Sequence, residues 1–372
     1  MKITVITSPF GLIPPHGYGA VERLWYNLSL EFVKKGHQVC FVAKKPQVTV
    51  QNKDNITIQY VKGYSWSGSF AINLCLDFVF SLKSLIKMNK TEILVMNTFW
   101  SPILSVFFSR KIKKTIYNVA RYPKGQFKFY KHVNRLACVS KPVYDELIKQ
   151  EPSLENQSKI ISNPINTNVF KYHSKKESKN LRILYTGRVC EEKGLVILVE
   201  AFNNLIAKYP YIELALMGPR DVADGGGGEL YINKLNTLAS KFSIKWIDPT
   251  SDQQELCDEI VKSDIYCYPS IAEKGETFGV APLEAMATGT PTIVSNLACF
   301  KDFVIDNTNA LVFDHKASNR VNLLSKKIEI LINNPEKRRN LGEKGVQKSL
   351  EFSNDIIAKE YLKDFSFLLN NK

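Results

Sequence analysis

Long apolar runs are missing from this 372-residue chain, and none of its stretches reaches the roughly 18 to 20 uninterrupted apolar residues that cross a bilayer. The two nearest, Phe70 to Ile86 and Ile93 to Phe108, are broken by Asn73, Asp77 and Lys83 and by Asn97 and Pro102, so both read as core elements. The opening Lys2 to Thr7 is too short in apolar residues for a secretory leader and reads as a first strand. Cys-x-x-Cys pairs are also absent: Cys40, Cys75, Cys138, Cys190, Cys257, Cys267 and Cys299 are scattered and odd in number. That excludes a zinc ribbon and a disulfide framework and points to a reducing, cytoplasmic compartment. Two nucleotide fingerprints fail as well. Gly225 to Gly228 lack the Lys-Ser/Thr ending of a P-loop, and Glu22 stands where a third glycine after Gly17 and Gly19 would complete a dinucleotide motif, which disfavours a nicotinamide dehydrogenase. The four-glycine run reads as a mobile loop.

What is present is a soluble globular composition, 44% hydrophobic and 23% charged, with a net charge of +14, at a length that suits two domains. The charge is unevenly placed. Residues 1–170 hold 23 Lys and Arg against 9 Asp and Glu, and residues 171–372 hold 27 of each, so the halves read as separate units with different partners. In the first half, strand-like runs at Ile3 to Ile6, Val39 to Ala43, Ile56 to Val61, Ile93 to Met96, Thr115 to Val119 and Leu136 to Val139 alternate with helical stretches, the pattern of a parallel α/β sheet. A polar linker at 171–180 precedes a second alternation, and three helices close the chain at 317–333, 335–350 and 354–369. Between Arg110 and Lys131 basic residues interleave with aromatics. Arg121, Lys124, Lys128 and Lys131, with Phe127, Phe129 and Tyr130, are candidates for an anionic acceptor or membrane surface. A solvated surface face is the plainer alternative, and no nucleic-acid signature accompanies the run.

The densest chemistry lies in Glu276-Thr277-Phe278-Gly279-Val280-Ala281-Pro282-Leu283-Glu284. Two carboxylates bracket a turn that opens a helix with Pro282 in its first turn and Gly289 at its end. Unpaired amides and the positive end of the dipole make such a start a seat for phosphate. A diphosphate near Phe278, Gly279 and Val280, with hydroxyl-bearing ends at Glu276 and Glu284, describes a nucleotide sugar. A loop-to-helix junction with two solvated glutamates is the competing reading. Upstream, Gly187, Arg188 and Lys193 lie on a strand-to-helix loop, where two cations can meet a diphosphate.

These features resemble the retaining glycosyltransferases of family 4 over nearly the whole length. The resemblance rests on Gly17-Tyr18-Gly19, Gly36-His37-Gln38-Val39, Asn163 to Phe170, Gly187-Arg188, Glu192-Lys193-Gly194, Pro269-Ser270 and, most specifically, the Glu-x7-Glu run at Glu276 to Glu284. It implies the α/β GT-B fold, two Rossmann-like doubly wound parallel-sheet domains facing a cleft, with an acceptor-side domain over 1–170, a nucleotide-sugar domain over 171–353, and a helix at 354–372 that crosses back. It further implies that Arg188 and Lys193 bind the diphosphate, Glu276 the transferred sugar and Glu284 the ribose, while Gly17 and Gly19 line the cleft from the other side. The expected activity is metal-independent transfer of a hexose to a glycan or lipid-linked acceptor of cell-surface polysaccharide or glycolipid synthesis, with no cofactor beyond the donor. The enzyme would be cytoplasmic or peripheral on a membrane. Two departures stand out: Ala20 replaces a glycine, and Asn118 to Arg121 occupies the place of a histidine. A sugar-nucleotide epimerase of the same fold and a basic nucleic-acid-binding protein are the alternatives.

Overall fold

The computed structural model describes residues 1–15, 19–47, 54–174 and 180–371. Within them the chain forms two compact units, one of residues 1–164 with 354–372 and one of residues 165–353. Residues 165–170 thus lie in the second unit, where the Ile165 amide donates to the Phe352 carbonyl at 2.8 Å.

The first unit contains β1 (Lys2–Ile6), α1 (Ala20–Lys34), β2 (Gln38–Lys44), β3 (Thr57–Val61), α2 (Phe70–Lys87), β4 (Thr91–Met96), α3 (Trp100–Ser105), β5 (Ile112–Val119), β6 (Arg135–Cys138), α4 (Lys141–Gln150) and β7 (Ser158–Ile160). Its seven strands lie in the order β3-β2-β1-β4-β5-β6-β7, all parallel. Every residue of β6 and most of β1 and β4 are buried, which is why these strands read as continuous apolar runs. The edge strand β7, intermediate in burial throughout, carries no such signal. Helix α1 turns Trp25, Leu28 and Phe32 to one face at helical spacing. Against it packs the C-terminal helix, residues 354–370, with Trp25 and Tyr361 rings 5.1 Å apart and Phe32 and Phe365 rings 6.0 Å apart.

The second unit contains β8 (Leu181–Thr186), α5 (Leu195–Ile206), β9 (Ile212–Met217), α6 (Gly228–Leu238), β10 (Lys245–Ile247), α7 (Gln253–Val261), β11 (Ile265–Tyr268), α8 (Val280–Ala287), β12 (Thr292–Ser295), β13 (Leu311–Phe313), α9 (Arg320–Asn333) and α10 (Pro335–Leu350). Its sheet, again parallel, has the order β10-β9-β8-β11-β12-β13. The order reverses between β8 and β11, so the loops after those two strands diverge and leave a crevice at their carboxyl ends. Side-chain caps start two of its helices: Asp252 accepts from the Gln254 amide at 2.7 Å and Asn334 from the Lys337 amide at 2.8 Å.

Candidate functional site

The crevice of the second sheet gathers its chemistry from the loops after β8 and β11. Strand β8 runs into Gly187, whose φ of 144° is open to glycine. Its neighbour across the loop, Gly218 at φ 147°, approaches so closely that a Cβ there would lie 1.9 Å from the Gly187 carbonyl oxygen. Beyond a short 3-10 turn at Glu191–Lys193, Gly194 takes a left-handed conformation against the Pro269 carbonyl and opens α5. This locks the β8 loop onto the β11 loop and aims Lys193 inward.

Lys193 Nζ lies 2.7 Å from Glu276 Oε2, with both side chains largely buried. The same carboxylate oxygen accepts from the Tyr268 hydroxyl at 3.1 Å and the Ser270 hydroxyl at 3.2 Å, and Lys193 also donates to the Tyr268 oxygen at 3.1 Å. Burial first, then the Glu276 charge, push the Tyr268 phenol well above its usual range, so it stays a neutral donor. Its ring stacks on Tyr185 at 5.5 Å, and the Tyr185 hydroxyl donates to the Arg188 carbonyl at 2.8 Å. Tyr268 and Ser270 therefore belong to the site. Nothing in the sequence assigned them a role, although Ser270 lies in the Pro269-Ser270 pair.

Arg188 does not join this cluster. Half exposed, it pairs with Glu192 at 2.5 Å and donates to the Gly225 carbonyl at 3.2 Å. The four-glycine run is not the loose loop its composition suggests, since the amides of Gly225, Gly226, Gly227 and Gly228 all donate to backbone carbonyls. On the other side Phe278 is buried against Phe303 and Phe352 at 5.4 and 5.6 Å, so its ring is core and only its backbone can serve a ligand. Gly279, at φ 102°, caps α8 where a Cβ would lie 2.5 Å from the Phe300 ring. Helix α8 carries Val280 at its start and Glu284, buried, one turn in. The loop bearing Glu276 is held from outside by Glu273, which accepts from His315 Nε2 at 2.9 Å and pairs with Lys316 at 2.7 Å.

In the first unit Gly17 lies outside the described residues. Gly19 caps α1 at an ordinary φ of −66°, and the space a Cβ would take is filled by the Glu22 carboxylate, 2.8 Å away. Glu22 is itself buried and accepts from Ser8 at 2.7 Å. A side chain there would have to displace the Glu22 carboxylate. Asn118, in the place of the expected histidine, is buried and donates to Asn97 at 3.1 Å; a carboxamide transfers no proton near neutral pH. Of the basic stretch, Arg121, Lys124, Lys128 and Lys131 lie on its loop and Lys128 covers the Phe129 ring at 5.1 Å. Phe127 and Tyr130, read from sequence as surface aromatics, are buried and pack edge-on and tilted against Tyr117.

Residues 167–348 match the family model described as glycosyl transferases group 1, and residues 19–169 match glycosyltransferase family 4. Together the two matches support a glycosyltransferase. An uncharacterized glycosyltransferase of Haemophilus influenzae is 25% identical over 366 residues, covering 92% of this chain and 95% of its own. Another, from Methanocaldococcus jannaschii, is 28% identical over 235 residues, 62% of this glycosyltransferase and 59% of the relative. The fold is similar to that of Anabaena HepE solved in complex with UDP and glucose, at a TM-score of 0.75, 15% identity and coverage of 98% and 99%.

Proposed function

We propose that this glycosyltransferase moves a hexose-type sugar from a nucleoside diphosphate, with retention of configuration and without a metal ion, to a glycan or lipid-linked acceptor in cell-surface polysaccharide or glycolipid synthesis. The observation that carries the reading is the buried Lys193–Glu276 pair at the switch point of the second sheet. Without ligand, the two charges neutralise each other. A donor separates them: the diphosphate takes the Lys193 ammonium, and the freed Glu276 carboxylate accepts from the sugar's hydroxyls. Arg188 reaches the same diphosphate by exchanging Glu192 for phosphate oxygens, assisted by the backbone at Gly187 and the amides from Phe278 to Val280, while Glu284 holds the ribose. Cleaving the sugar–phosphate bond leaves extra negative charge on the departing diphosphate, which fixed cations stabilise better than water does. The UDP and glucose named for HepE support a nucleotide sugar as donor. The excess of basic residues in the first unit supports an anionic or membrane-anchored acceptor and a peripheral location, and no described helix is long and apolar enough to cross a membrane.

Calorimetry with UDP and GDP, beside transfer assays, tests the division of roles. Glu276→Gln should keep nucleotide binding and depress transfer, whereas Glu284→Gln should weaken nucleotide binding. The opposite pattern would reverse the assignment. Transfer should also continue in a chelator; loss there, with recovery on adding Mg²⁺ or Mn²⁺, would overturn the metal-free mechanism.

A further inference from the structure

Helix α2 is built inside out. Its buried face carries Asn73, Asp77, Ser81 and Ser84 beside Phe80 and Leu85, and three of the polar groups dock the helix. Asn73 accepts from Ser67 at 3.1 Å, Asp77 accepts from the Trp100 amide at 3.1 Å, and Ser81 donates to Thr98 at 2.9 Å. The outward face carries Phe70, Ile72, Cys75, Phe78 and Ile86, with Lys83 and Lys87 toward its C-terminal end, far more apolar than the outer face of an ordinary surface helix. The neighbouring segment extends this surface. Trp100, at the start of α3, packs on Phe78 at 5.3 Å, the 3-10 turn after α3 exposes Val106 and Phe107, and Lys111 closes the far end by donating to the Ile86 carbonyl at 2.7 Å. Phe107 is 81% and Phe70 79% exposed, and a surface of packed elements that bares large aromatics to this degree marks an interaction site.

We propose that this face is a membrane-docking surface for anionic lipid, with Phe70, Ile72, Phe78, Ile86 and Phe107 entering the acyl boundary and Lys83 and Arg110 meeting headgroups. The charge around it chooses the occupant. Residues 62–114 hold eight Lys and Arg against Asp77 and Glu92 alone; Asp77 is buried and Glu92 is paired with Lys113 at 2.9 Å. An apolar strip rimmed by cations and free of exposed, unpaired carboxylates fits an anionic bilayer. A second copy fits poorly, because a two-fold contact would set the strip's own cations against each other. The surface deepens the proposed use of a membrane-anchored acceptor and differs from the Arg121 to Lys131 loop.

The test is co-sedimentation of the full chain with phosphatidylcholine vesicles with and without phosphatidylglycerol, beside UDP calorimetry and transfer to a soluble acceptor. The chain should bind only the anionic vesicles. Phe70→Ser/Ile86→Ser/Phe107→Ser should lower that binding by roughly tenfold or more and leave UDP binding unchanged, which shows the second unit intact and separates this surface from the catalytic reading. An unchanged circular dichroism spectrum of the variant shows the first unit intact. The proposal fails if the triple variant binds vesicles as well as the parent, if only Arg121→Ser/Lys124→Ser/Lys128→Ser loses binding, or if the parent ignores anionic vesicles while forming a dimer that the triple variant abolishes.

Discussion

At the scale of single residues, the Lys193–Glu276 pair is expected to be both a stability element and a catalytic one, and the two roles can be separated. Lys193→Ala leaves a mostly buried carboxylate without its cation. Because Tyr268 and Ser270 go on donating to it, the cost should be near the lower end of that for breaking a buried pair, about 3 kcal/mol. The same variant should lower kcat/KM by roughly ten- to a hundred-fold or more, the equivalent of one lost charge-assisted hydrogen bond to the leaving group. Lys193→Met/Glu276→Gln removes both charges and should recover most of the melting temperature while remaining inactive. Recovery of activity along with stability would show that the pair only holds the fold. Of this cluster, Lys193 and Glu276 were legible in the sequence because charged residues on strand-to-helix loops stand out there. Tyr268 was not: a tyrosine ending an apolar strand looks like core until the sheet order places it at the switch point.

At the scale of elements, strand and helix positions were readable wherever burial is continuous, as in β1, β4 and β6, and unreadable at the edge, as in β7. The faces of α2 were not read from the sequence, since periodicity marks two faces without saying which turns inward. Asp77, one of the polar groups turned inward, has its carboxyl pushed up by burial to about 6. The folded state therefore holds this proton more tightly than the unfolded chain does. Its stabilising contribution is present below the unfolded value near 4 and is lost as pH rises through about 6, so the first unit should be less stable at pH 8 than at pH 5 by about 1.4 kcal/mol from this group, read as a lower melting temperature. Asp77→Asn should flatten the profile in a calorimetric pH series, and parallel profiles for parent and variant would refute the account. In the second unit, Gly194→Ala would set a Cβ 2.1 Å from the Pro269 carbonyl at a φ of +69°. It should cost at least ~1 to 3 kcal/mol and weaken UDP binding by displacing Lys193.

At the scale of the whole molecule, the C-terminal helix is structural material of the first unit rather than an appendage. Arg135 donates to both oxygens of Asp364, at 2.9 and 3.0 Å, with both side chains almost fully buried. Asp364→Ala should therefore destabilise the first unit by about 3 to 5 kcal/mol, read as a lower melting temperature with UDP affinity retained. Ending the chain at Ser353 should be worse, because it bares Trp25, Leu28 and Phe32 together. This arrangement also sets a timetable for biosynthesis. Residues 1–164 leave the ribosome first yet cannot close their core until the last helix emerges, roughly 200 residues later, a delay of about 10 to 40 s at ordinary elongation rates. Meanwhile residues 165–353 can fold to completion, so the half made first is finished last. During that interval the nascent chain displays an unsealed hydrophobic groove along α1, which makes its yield in a cell depend on chaperone supply and elongation speed as much as on the stability of the finished enzyme.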